Sequence, residues 1–177
     1  TLKDIDLFKE MDQYQLQYIE QPLGEEDIVD HAVLQKEIET PVCLDESVVS
    51  YEAAEAAIRL GSCKVINIKS SRCGGVYEGK RIHDLCVAHG IPVWCGGMTE
   101  LGIGRAQNVS FASLPGFTEL AHDVAAANRY FDEDITSPMV DITDRCTILV
   151  PDEDNGIRYE VDEKQIDKME AGHWIFK

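Results

Sequence analysis

Short apolar runs alternate with longer amphipathic stretches through the first two thirds of the chain. The runs are Leu16–Ile19, Val42–Leu44, Val65–Ile68 and Ile91–Cys95, with a weaker fifth around Phe117–Leu120. Each is short enough for a buried strand and too short for a helix. Between them the apolar residues recur at helical spacing. Tyr51–Leu60 reads as a helix with Ser50 as N-cap and Gly61 as its stop. Val76–His89 follows, closed by Gly90, with Ile82, Leu85, Cys86 and His89 near one face. Asp27–Ile38 and Gly102–Ser113 read as further helices. Thr1-Leu2-Lys3-Asp4 has the form of a capping box opening a helix that runs to about Tyr14.

Alternating buried strands and helices imply parallel βαβ units with right-handed crossovers. A doubly wound sheet and a closed (β/α)8 barrel share this rhythm. The strand ends separate them. The first three runs lead directly into Glu20, Asp45 and Lys69, spaced 25 and 24 residues apart, and the fourth into Cys95-Gly96-Gly97. One unit therefore takes about 25 residues and presents one charged group at the same level. In a barrel those groups face one mouth, at the carboxyl ends of the strands. A dinucleotide-binding sheet needs a glycine-rich loop after its first strand, and Glu20-Gln21-Pro22 is not one. The expectation is an α/β fold: part of a TIM-type (β/α)8 barrel, roughly strands 4 to 8, over residues 1–131. The tail over residues 132–177 is expected to pack on the barrel or on an absent capping domain. Pro138, Pro151, 152–156 and the alternating run 157–161 predict a hairpin or irregular β segment there, followed by a short helix from Asp162 to about Met169.

Five strands fall short of the eight a barrel needs. An open half-barrel leaves a strand edge and an apolar inner face uncovered. The remainder is expected from the same natural polypeptide or from self-association. Thr1 is neither an initiating Met nor the start of a signal peptide, so the chain reads as cut from something longer.

Charge narrows the class of partner. The 177 residues carry 33 acidic and 16 basic side chains, a formal net charge of −17, with 44% hydrophobic residues. Such a chain has a core, repels nucleic-acid phosphates and anionic lipid, and has no apolar run of the roughly 18 residues a membrane span needs. The six cysteines, Cys43, Cys63, Cys73, Cys86, Cys95 and Cys146, form no C-x-x-C pair and no zinc spacing. Free thiols and a reducing, cytoplasmic setting are expected.

Two carboxylates and a lysine at one mouth make a specific combination. Glu20 and Asp45 are hard oxygen donors suited to Mg²⁺ or Mn²⁺, which takes about six oxygens, including those of water and substrate. A lysine in partly desolvated, cationic surroundings becomes a usable acid or base near neutrality. Together they fit removal of a proton next to a carboxylate, with the charge of an enediolate held by the metal. Singly, each residue reads as a helix cap or a solvated loop group; the matched spacing is what reverses this. Asn67, two residues before Lys69, points the same way along the strand. It reads equally as an orienting group for the metal ligands or as an interior polar residue satisfied by a neighbour.

Tyr18-Ile19-Glu20-Gln21-Pro22, Cys43-Leu44-Asp45-Glu46-Ser47, Asn67-Ile68-Lys69 with Arg72 and Gly74-Gly75, Gly96-Gly97-Met98 and Gly102-Ile103-Gly104-Arg105 occur in this order. The set resembles the enolase superfamily, its muconate-lactonising subgroup, and within it the o-succinylbenzoate synthase / N-succinylamino acid racemase family. The resemblance extends to Asn128-Arg129-Tyr130-Phe131. It implies that Glu20 and Asp45 are the second and third metal ligands and that Lys69 is the lysine of the sixth barrel strand. That lysine would steady the enediolate in the synthase reaction and exchange a proton on one face in racemisation. Gly96, Gly97 and Met98 would line the substrate pocket, although Met98 reads equally as packing. Arg72 resembles an arginine of racemase-capable relatives, against the plainer reading of a solvated loop residue.

Ser70-Ser71 stands where relatives often have Pro-Gly, and Thr99-Glu100-Leu101 where they have Leu-Glu-Thr. The family's Lys-x-Lys, its first metal-binding Asp and its capping domain have no counterpart in these residues. No histidine stands at the seventh strand end, since His89 precedes that strand, and residues 119–123 lack the Asp-x-Asp of dipeptide epimerases. His31, His83, His122 and His173 read as packing or surface groups. The expected activity is metal-dependent o-succinylbenzoate synthesis by dehydration of a small carboxylate, in menaquinone biosynthesis, with N-succinylamino acid racemisation beside it. The isolated fragment is expected to be inactive. A muconate cycloisomerase-type enzyme and a non-catalytic, self-associating barrel fragment are the competing expectations.

Overall fold

The computed structural model describes residues 1–150, 159–172 and 174. The chain forms two compact units, Thr1–Gly96 with Leu114–Asp123, and Gly97–Ser113 with Val124–Lys177.

The first unit is a parallel sheet carrying helices. Strands β1 (Ile19–Glu20), β2 (Val42–Leu44), β3 (Val65–Ile68) and β4 (Val93–Cys95) lie side by side in sequence order. All three pairings are parallel, with Glu20 opposite Cys43, Leu44 opposite Ile66 and Ile68 opposite Cys95. Sequential order is what successive βαβ crossovers of one hand produce. Every residue of β2, β3 and β4 is buried, as expected of strands covered on both faces. Burying each Val, Leu or Ile of this layer contributes about 1.5–3 kcal/mol.

The helices follow the local signals. An opening 3₁₀ turn, Leu2–Asp4, carries the Thr1–Asp4 capping box and leads into α1 (Ile5–Met11), which a further 3₁₀ turn extends to Tyr14. The α2 helix (Ile28–Glu37) starts at Asp27, whose carboxylate accepts from Asp30 N–H. The α3 helix (Tyr51–Leu60) begins where Ser50 Oγ accepts from Ala53 N–H and ends where Gly61 turns left-handed at φ +72°. The α4 helix (Val76–Ala88) stops at His89.

Three strand expectations shift. The first run becomes extended only at Ile19. Gln15 turns left-handed at φ 50° after the 3₁₀ turn and leaves Leu16 exposed. The fourth strand starts at Val93, because Pro92 offers no N–H and only its carbonyl joins the ladder, accepting from Ile66. Phe117–Leu120 is not a strand. Gly116 bends the chain at φ +114°, and Phe117 turns inward between the His83 and His122 rings, with centroids 4.7 and 5.3 Å away. Extended pairing is confined to one parallel bridge, Gly96 with Asp123.

The second unit holds α5 (Gly102–Ala112), the antiparallel pair β5 (Thr136–Ser137) and β6 (Glu160–Val161), and α6 (Glu163–Met169), capped by Asp162. The expected helix from Asp162 is present, and of the expected β segment the described residues show Glu160–Val161 paired with Thr136–Ser137. Residues 151–158 of the expected β segment, and His173, lie outside the described residues. The fully buried Arg105 donates to the carbonyls of Glu100 and Ala125. Asp134 Oδ1 accepts from Gly102 N–H (2.7 Å), satisfying a donor at the start of α5.

The cysteines are free: Cys43, Cys63, Cys73, Cys86 and Cys95 are buried and Cys146 is exposed. Desolvation pushes the Cys73 thiol up to about 11. His31 and His83 are buried packing residues, and His122 Nδ1 accepts from Cys95 N–H (3.0 Å). Among the described residues no helix is long and apolar enough to cross a membrane.

Candidate active site

The parallel register steps the first three strand ends: Glu20 pairs with Cys43, two residues before Asp45, and Leu44 pairs with Ile66, three residues before Lys69. Glu20 is the last residue of β1; Asp45 and Lys69 directly follow β2 and β3. All three line one open cavity of about 620 Å³. The residues spaced 25 and 24 apart in sequence thus meet at one cavity, although their register is stepped.

Asp45 is the most enclosed of the three, at 3% exposure. The Lys69 ammonium donates to its Oδ2 (2.8 Å), and the Arg72 guanidinium donates to its Oδ1. A buried carboxylate needs such partners, because an isolated charge there carries a large desolvation cost. Arg72 is thus an ion-pair partner of Asp45, not the solvated loop arginine of the plainer reading. The step from Lys69 to Arg72 is made by a tight turn, with Arg72 and Cys73 N–H both donating to Lys69 O.

Asn67 is also buried, at 1% exposure. Its Nδ2 donates to Glu20 Oε1 (2.9 Å), so it orients that carboxylate from the interior. Its Oδ1 is buried without a hydrogen-bond partner. The Glu20 carboxyl is raised above its ordinary value. Partial desolvation is the leading cause, and Asp45 adds to it, while the Asn67 hydrogen bond and Lys69 oppose it.

Gly96 directly follows β4. A Cβ there would stand 2.4 Å from Asn67 Oδ1 and 2.7 Å from Lys69 Cε. Its bare Cα is the room in which both side chains lie. Gly97 and Met98 belong to the second unit. Met98 is exposed, and its N–H donates to Glu100 Oε1 (2.7 Å).

Sequence reasoning passed over Gln21, Trp94 and Asp123, which also line the cavity. Asp123 is placed there by the lone bridge to Gly96 and by its N–H donating to Cys95 O (3.1 Å). Trp94 forms part of the floor, its Nε1–H donating to Cys43 Sγ (3.4 Å) and its ring stacked on Tyr18. No periodicity announces Asp123, because the stretch before it is a turn.

Among the described residues no three His, Cys, Asp or Glu side chains converge as a complete metal site. The donor set nevertheless suits a hard cation. Two carboxylates face one cavity, and such ions take oxygen ligands with water and substrate filling the remaining positions. Glu20 and Asp45 would supply two of those oxygens.

The family model described as enolase C-terminal domain-like matches residues 1–165. The o-succinylbenzoate synthase of Geobacillus stearothermophilus is 51% identical over 168 residues, 95% of this chain and 44% of that protein. The N-succinylamino acid racemase of an Amycolatopsis species is 54% identical over 140 residues, 79% of this chain and 38% of that protein. The crystal structure of an enolase-superfamily member from Listeria innocua superposes with a TM-score of 0.88 at 42% identity, covering 95% of this chain and 44% of that one. The chain thus spans less than half the length of these relatives. With its sequential parallel sheet and the family match along nearly its whole length, the chain belongs to the enolase superfamily, in the C-terminal domain-like family.

Proposed function

We propose that the polypeptide carrying this chain is a divalent-metal-dependent o-succinylbenzoate synthase with a second activity as an N-succinylamino acid racemase. The carrying observation is the convergence of Glu20, Asp45 and Lys69 on one cavity. The relatives named for both reactions support the choice of substrate class. The chain is the C-terminal part of a longer barrel in this reading, completed by the rest of its polypeptide or by a second copy. Alone it is inactive. Its five buried free thiols suit a reducing, cytoplasmic setting.

Mg²⁺ or Mn²⁺ bound through Glu20 and Asp45 would supply positive charge against the negative charge that builds on the substrate carboxylate. The remaining work falls to the side chains. Asn67 holds Glu20 in place by its 2.9 Å hydrogen bond. Lys69 presents an ammonium to the cavity. In dehydration that ammonium steadies the enediolate while a base on the opposite face removes the proton next to the carboxylate and, now protonated, returns that proton to the departing hydroxyl, which leaves as water. In racemisation Lys69 Nζ gives or takes the α-proton on its own face. The opposite base comes from the Lys-x-Lys that the family pattern places on an earlier strand.

The test uses the complete natural polypeptide with Mg²⁺, assayed for dehydration to o-succinylbenzoate and for racemisation of an N-succinylamino acid. Wild type is expected to catalyse at least the first. Lys69→Ala is expected to lose at least a thousandfold in either activity while melting within a few degrees of wild type. A folded, metal-loaded wild type inactive on both substrates refutes the reading, and so does undiminished turnover by Lys69→Ala.

A further inference from the structure

The chemistry above leaves Gln21, of the Glu20-Gln21-Pro22 motif, without a task, and its conformation is unusual. Its φ is +41°, in the left-handed region that favours glycine. A non-glycine residue held there is strained, and persists only where its surroundings over-determine it.

The surroundings do so through both ends of the side-chain amide. Gln21 Oε1 accepts from Asp45 N–H (3.0 Å) and Ser47 N–H (3.3 Å). Nε2 donates to Ser47 Oγ (2.8 Å) and, on its own side, to Gly24 O (3.4 Å). Ser47 Oγ donates onward to Glu25 O (2.6 Å). The backbone N–H of Gln21 donates to Cys43 O (2.8 Å), extending the β1–β2 ladder by one bond. One amide thus ties the loop after β1 to the turn after β2, immediately beside both carboxylates. A primary amide supplies an acceptor oxygen with two lone pairs and two N–H donors in the same group.

Resting on the functional reading above, we infer that Gln21 is a positioning residue that sets the spacing of the Glu20 and Asp45 carboxylates for a divalent cation. The left-handed turn is what carries the chain out of β1 so that the backbone bearing Glu20 and the backbone bearing Asp45 are held by a common group. Loss of the amide releases the Asp45 turn without touching either carboxylate. Partners of this kind typically change metal affinity or activity by about 10- to 100-fold when removed.

The experiment measures Mn²⁺ binding to the complete polypeptide by electron paramagnetic resonance, alongside thermal melting. Gln21→Met keeps the volume and removes the hydrogen bonds; Gln21→Gly also relieves the left-handed φ. Both are expected to fold and to bind Mn²⁺ about 10- to 100-fold more weakly. Gln21→Gly serves to separate the effects: if φ alone mattered, it would bind as wild type. Should either variant fail to fold, Ser47→Ala decides. It cuts the far end of the bridge and is expected to weaken Mn²⁺ binding by about threefold. Wild-type Mn²⁺ affinity in the folded variants overturns the inference and leaves the functional reading standing. A wild-type polypeptide that binds neither Mn²⁺ nor Mg²⁺ overturns both.

Discussion

Gly96→Ala adds one methyl group at the most crowded point of the site. Gly96 is not among the glycines at positive φ, so an alanine backbone fits there and the effect is purely one of space. The new Cβ would meet Asn67 Oδ1 at 2.4 Å, Asn67 Nδ2 at 2.7 Å and Lys69 Cε at 2.7 Å. Reaching ordinary contact requires Asn67 to retreat by about 1 Å and Lys69 by nearly as much. Both have hydrogen bonds to lose: Asn67 to Glu20 at 2.9 Å and Lys69 to Asp45 at 2.8 Å. Overpacking of this kind costs about 1–3 kcal/mol of stability. A misplacement of about 1 Å at reacting groups costs roughly 100-fold in rate, equivalent to about 2.7 kcal/mol of barrier. Thermal melting and steady-state kinetics of the complete polypeptide separate the two. The melting temperature is expected to fall by a few degrees while kcat/KM falls at least 100-fold. If Gly96→Ala keeps kcat/KM within about threefold of wild type, the Asn67–Gly96–Lys69 packing does not govern the site and the reasoning fails.

Acid should weaken the fold through His31. Burial is the main cause that holds this imidazole below its ordinary 6.5, against the opposing pull of Asp27 O and the Asp27 and Asp30 charges. Its Nδ1 contacts Asp27 O (2.5 Å) and its Nε2 accepts from Leu23 N–H (3.2 Å), so the neutral ring with the proton on Nδ1 fits both. A base with a depressed folded pKa binds its proton more readily when unfolded. Its stability contribution is complete above the unfolded value and declines as pH drops below about 6.5. Melting curves from about pH 7.5 to 5.5 should therefore fall, with a smaller slope in His31→Gln; a flat wild-type profile would contradict this. In the second unit, Asp134→Ala removes the acceptor for Gly102 N–H. It should destabilise by about 0.5–2 kcal/mol, as loss of a capping side chain does, read from denaturant midpoints at unchanged slope. No change in midpoint would show that the α5 terminus finds another acceptor.

What the sequence disclosed depended on how local each signal is. Ser50 and Gly61 bound α3 at the expected residues because capping and left-handed termination are decided within one turn. Val42–Leu44 and Val65–Ile68 match their strands because both faces are covered and continuous apolarity suffices. The period of about 25 residues pointed Glu20, Asp45 and Lys69 to one cavity without any tertiary knowledge. Groups whose role depends on a meeting between distant loops were not legible. Gln21 acts across 24 and 26 positions on Asp45 and Ser47, in a backbone conformation its residue type does not suggest. Arg72 reads as solvent-facing until the turn from Lys69 brings it back to Asp45. Asp123 reaches the cavity through one bridge after a turn, where no apolar run marks the path.

Strand ends and strand bodies do different physical work here. Leu44 and Ile68 are at 0% exposure, while Lys69, one peptide unit beyond, opens onto the cavity. Substitutions that alter reactivity are thereby largely decoupled from those that alter the packed layer. A lineage can exchange the acid, base or ligand at a rim position while inheriting the scaffold almost unaltered. That separability gives selection a way to diversify reactions on one ancestral architecture.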